Sequence, residues 1–66
     1  MADFVILEMC DGRFFFTSHK HRDVFGVEPD GVSAVRSIAR LCDDRGIPCE
    51  TLKTVDAGGH TEVFVS

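Results

Sequence analysis

Sixty-six residues suffice for one hydrophobic core and not for two, so residues 1–66 are expected to form one compact domain. Apolar residues make up 44% of the chain, too many for a disordered segment, and a net charge of −4 withholds the general attraction to phosphate backbones that excess Lys and Arg confer. Asp3 stands where a signal peptide needs bases, and the opening apolar run is far shorter than a membrane span, which points to a cytoplasmic protein with no membrane partner.

The first local signal is Asp11-Gly12, set between two segments rich in β-branched and aromatic residues. It predicts a two-residue type I′ hairpin joining residues 3–10 to residues 13–18. That loop places Cys10 opposite Arg13, Met9 opposite Phe14, Glu8 opposite Phe15 and Leu7 opposite Phe16. By alternation Val5, Leu7, Met9, Phe14 and Phe16 then form the core face, and Phe4, Ile6, Glu8, Arg13, Phe15 and Thr17 the outer face.

Residues 18–26 suggest a single helical turn, with Ser18 as N-cap and Gly26 as a left-handed stop. Pro29 and Asp30 open the main helix, which runs to about Arg45. Val35, Ile38, Ala39 and Cys42 fall at the i, i+3, i+4, i+7 spacing of a buried stripe that Val32, Ala34 and Leu41 widen. Arg36, Ser37, Arg40, Asp43 and Asp44 take the solvated side. Gly46 ends the helix in the left-handed conformation, Ile47 packs back on the last turn, and Pro48 prevents continuation.

Residues 49–55 and 61–66 flank Ala57-Gly58-Gly59-His60, a second hairpin with Gly58-Gly59 at its tip. Its register pairs Leu52 with Val65 and Thr54 with Val63 on the core face, and Lys53 with Phe64 and Val55 with Glu62 outside. The expected fold is α+β, in ββαββ order, a four-stranded mostly antiparallel sheet with one helix packed on one face.

The search for chemistry is largely negative. Cys10, Cys42 and Cys49 are odd in number and lack CxxC spacing, so reduced thiols are expected, with Cys42 a small core residue. His19, His21 and Asp23 are metal-ligand types, but their spacing is irregular and a fourth ligand would have to come from Cys10 or His60; neither a metal nor another cofactor is expected. Gly58-Gly59 lacks the motif and the following helix of a phosphate loop. No thiol has a legible base beside it, which argues against an enzyme. Arg13, His19, Lys20, His21 and Arg22 form a local basic run that carries the alternative of nucleic-acid binding, although a solvated loop explains it as well.

What is left is the sheet face opposite the helix, where Phe4, Ile6, Phe15 and Phe64 are ringed by Glu8, Arg13, Lys53 and Glu62. Such a face predicts a non-enzymatic protein-binding module, a regulatory or antagonist protein that meets another protein or its own copy as a homodimer. The competing expectation is that residues 18–30 fold back over this face and Phe25 plugs it.

Overall fold

The computed structural model describes residues 2–66. Strands β1 (Phe4–Glu8) and β2 (Phe14–Ser18) pair antiparallel, with Phe4 opposite Ser18, Ile6 opposite Phe16 and Glu8 opposite Phe14. Their loop holds three residues, not two. The Met9 N–H donates to the Arg13 carbonyl at 2.7 Å and the Gly12 N–H to the Met9 carbonyl at 3.0 Å, leaving Cys10, Asp11 and Gly12 in the turn. Gly12 closes it at φ +88°, the left-handed position that ends a three-residue hairpin loop.

Against the type I′ expectation, β1 has therefore slipped by one residue, and because side chains alternate, the slip moves the whole strand to the other face. Phe4 (1% exposed) and Ile6 (5%) belong to the core, and Leu7 (41%) faces solvent with Val5 beside it. In β2 the expected sides hold: Phe16 is buried and Phe15 points out.

Residues 18–26 form no helical turn. The Ser18 hydroxyl accepts the His21 N–H at 3.0 Å, the Val24 N–H donates to the His21 carbonyl at 2.9 Å, and the chain enters a third strand, β3 (Phe25–Glu28), paired antiparallel with β2. Gly26 lies opposite Phe16, and a Cβ there would sit 2.7 Å from the Phe16 ring. This glycine makes room for a core aromatic; it does not stop a helix. The sheet is accordingly five-stranded and wholly antiparallel, in βββαββ order along the chain and β3-β2-β1-β5-β4 across the sheet.

Helix α1 (Gly31–Arg45) starts where Asp30, in extended backbone, accepts the Ser33 N–H at 2.7 Å. It stops at Gly46, φ +68°, where the Gly46 N–H reaches the Asp43 carbonyl and the Ile47 N–H the Cys42 carbonyl at 2.8 Å, the paired bonds of a Schellman motif. Ala34, Ile38 and Cys42 are fully buried, with Val35 and Leu41 packed beside them. The stripe is rotated from the expected one, since Val32 (65% exposed) and Ala39 face solvent.

The second hairpin has the expected register. In β4 (Leu52–Asp56) and β5 (Thr61–Val65), Leu52 meets Val65, Lys53 meets Phe64, Thr54 meets Val63 and Val55 meets Glu62. Gly58 and Gly59, at φ +65° and +94°, make the two-residue tip, closed by the Ala57 N–H on the His60 carbonyl. β5 joins β1, so Val63 enters the core with Phe4, Ile6, Phe16, Val24 and Ile38.

Candidate interaction surface

α1 lies over β1, β2 and β3 on one side of the sheet, and no described segment crosses the other side. The observed pairings place Phe25 and Val27 of β3, Phe15 and Thr17 of β2, Val5 and Leu7 of β1, Glu62 and Phe64 of β5, and Lys53 and Val55 of β4 on that bare side. Among the described residues, five large apolar side chains are exposed, and four of them, Leu7, Phe25, Val27 and Val55, lie here. Phe25 is the most open of the four at 62% and packs its ring 6.4 Å from that of Phe15, tilted by 35°.

The surface has two halves. The half on β3, β2 and β1 is apolar except for Thr17, and the half on β5 and β4 carries Lys53 and Glu62 between Phe64 and Val55. His60 approaches Glu62 at 3.9 Å. A sheet face hydrophobic along three adjacent strands is expensive to leave in water, because each apolar side chain left partly exposed forgoes a share of the roughly 1.5–3 kcal/mol that full burial contributes.

The expected site is therefore reassembled. Phe15, Lys53, Glu62 and Phe64 are on the surface as expected. Phe4 and Ile6 are not: they are buried under the helix, and their places are taken by Val5 and Leu7, which the two-residue loop had assigned to the core. Glu8 turns to the helix side, at a shallow cleft it shares with Asp56 and His60. Arg13 stays in its own loop, where its guanidinium and backbone N–H bind the Asp11 carboxylate at 2.7 and 3.1 Å. Those two contacts, the backbone N–H first, hold the Asp11 carboxyl below the ordinary carboxylate range. Phe25 and Val27 were missed with β3 itself. Far from plugging the face, Phe25 extends it.

The basic run does not assemble either. Arg13 precedes β2 and His19, Lys20, His21 and Arg22 follow it, so five strand residues, about 17 Å at 3.4 Å each, separate them. Lys20 has Asp3 at 3.8 Å, and Asp23 binds Arg45 at 2.6 Å. Cys10 and His60 lie in the turns at the opposite end of the sheet from His19, His21 and Asp23, out of reach as fourth ligands. Among the described residues, no three His, Cys, Asp or Glu side chains gather as a metal site would require. None of the helices of residues 2–66 is long and apolar enough to cross a membrane.

No family model matches this chain, and neither a curated protein nor a solved structure is found to be similar to it.

Proposed function

We propose that this chain is a non-enzymatic protein-binding module that pairs with a second copy of itself through the bare face of its sheet. One observation carries the reading: four of the five exposed large apolar side chains of the described residues share that face. A second copy suits it because the face is divided. A two-fold axis lying in the interface and perpendicular to the strands sets β3 against β3 and β4 against β4, so the apolar halves cover each other and the Lys53 and Glu62 side chains are left to pair along the other half. An unrelated protein presenting a similar apolar sheet is the competing occupant, and an antagonist role would follow from it.

The test is sedimentation equilibrium of the purified chain beside Leu7→Asp/Phe25→Ser. The parent is expected to be dimeric at micromolar concentration, and the double variant monomeric with an unchanged far-ultraviolet spectrum, since both side chains lie outside the core, on the solvent side of the sheet. A parent that stays monomeric at millimolar concentration removes the self-association reading. A dimer that survives the double variant moves it to another surface.

A further inference from the structure

Cys42 is fully buried on the inner stripe of α1, and Cys49, seven residues on, is half-buried and packs against the same core cluster. The helix stop turns the chain back between them. The left-handed turn at Gly46 and the bond from the Ile47 N–H to the Cys42 carbonyl reverse the chain at once, and three residues past Gly46 Cys49 packs against the core cluster to which Cys42 belongs, before β4 begins. Burial, and after it the neighbouring Cys49 thiol, push the Cys42 thiol up to about 11. Cys10, by contrast, is exposed in the β1–β2 loop at the far end of the sheet.

We propose that Cys42 and Cys49 are a redox pair that closes into a reversible disulfide on meeting an oxidant of the disulfide class, such as oxidised glutathione, clamping the end of α1 to the segment that leads into β4. The half-buried Cys49 sulfur attacks the oxidant's disulfide, forming a mixed disulfide and releasing one reduced thiol, which takes up the Cys49 proton. The Cys42 sulfur then attacks the Cys49 sulfur and expels the second reduced thiol, which takes up the Cys42 proton. The two cysteines lose two electrons and two protons, and the oxidant gains both as two thiols. Because the thiolate is the attacking species and Cys42 holds its proton tightly, the second step is the slow one and quickens as pH rises. The bond closes a loop of residues 42–49, constraining the unfolded chain and so raising stability.

Reduced protein is incubated with oxidised glutathione at pH 8, its remaining thiols are alkylated, and it is digested with trypsin, which cuts between the two cysteines at Arg45. The expected product is peptide 41–45 joined to peptide 46–53 with the loss of two hydrogens, while Cys10 carries glutathione or alkyl. In a Cys10→Ser background the oxidised chain is expected to melt several degrees above the reduced one, dithiothreitol should reverse the shift, and Cys49→Ser should abolish it. The proposal is overturned if Cys49 stops at the mixed disulfide with Cys42 free, or if the linkage forms only in urea. It is overturned equally if the linked chain melts no higher than the reduced one. Cys49→Ser is the informative variant because it spares the fully buried position.

Discussion

The two hairpins of this sheet resemble each other in sequence, each a short glycine-bearing turn between alternating residues, yet they close differently. β4 and β5 turn on two residues with Gly58 and Gly59 both at positive φ; β1 and β2 turn on three with Gly12 alone in that region. Two adjacent glycines supply both positive-φ sites of a type I′ turn, whereas one Asp-Gly pair serves equally as that turn or as the end of a three-residue loop. The difference is one residue, and it decides which half of β1 is core and which is surface.

The strongest way to break that comparison is to mutate the two faces of β1 in turn. Phe4→Ala is expected to cost about 3–5 kcal/mol, as large-to-small changes in a packed core do, enough to unfold most of a chain this small. Leu7→Ala should cost less than about 1 kcal/mol in the monomer, since the side chain is already 41% exposed. Thermal melts decide it: if Leu7→Ala is the more damaging, the loop has two residues and the faces are reversed.

Next in size is Gly26→Ala, which drives a methyl group against the Phe16 ring and is expected to cost about 1–3 kcal/mol. Phe16→Leu in the same chain should suffer less from it, a non-additivity that a double-mutant cycle measures. Equal losses in both backgrounds would mean that the glycine is there for some other reason.

A smaller effect separates the turns themselves. Gly12→Ala is expected to cost about 1–2 kcal/mol for one left-handed residue, and Gly58→Ala with Gly59→Ala about twice that, as two such residues are strained together. Asparagine should be milder at each position. Chemical denaturation of the three proteins orders the losses, and similar values for the single and the double variant would contradict the difference in loop length.

Acid gives the smallest expected change. The Ser33 N–H holds the Asp30 carboxyl below its ordinary range, and the Arg13 contacts do the same for Asp11. A carboxyl whose folded value is depressed adds stability that is complete above its unfolded value, here 3.8, and is lost as pH falls from there through the lower folded one. The melting temperature should therefore decline as pH falls below 3.8. Asp30→Asn keeps an N-cap acceptor and should flatten part of that decline; an unaltered slope would show that the cap does not titrate.

Legibility in the sequence followed the same division. The second hairpin and the helix stop could be read because Gly58-Gly59 and Gly46 stand where the backbone needs a positive φ that glycine reaches at little cost, and the helix start because Pro29 and Asp30 precede a clear apolar period. In β1, Phe4 and Ile6 alternate with Val5 and Leu7, so both sides are apolar and periodicity cannot choose between them; only the loop length could, and Asp11-Gly12 leaves it open. β3 was hidden because Phe25-Gly26-Val27 is short and its glycine imitates a helix stop, the true reason for it being the Phe16 ring across the ladder. The sides of β2, β4 and β5 are thus as the sequence reading has them, those of β1 are reversed, and β3 is absent from it.

The place of β1 in the middle of the sheet has a consequence for how the molecule comes together. Its ladder to β2 needs only a three-residue loop, but its ladder to β5 spans the whole chain, down to the Val65 N–H on the Asp3 carboxylate 62 positions away. Closing so long a loop carries an entropy cost that local pairing avoids, so β1, β2, β3 and α1, contiguous over residues 4–45, can gather first and the β4–β5 hairpin dock afterwards. Amide hydrogen exchange should then divide at Gly46, with the amides of β4 and β5 opening as a unit at lower free energy than those of β2 and α1.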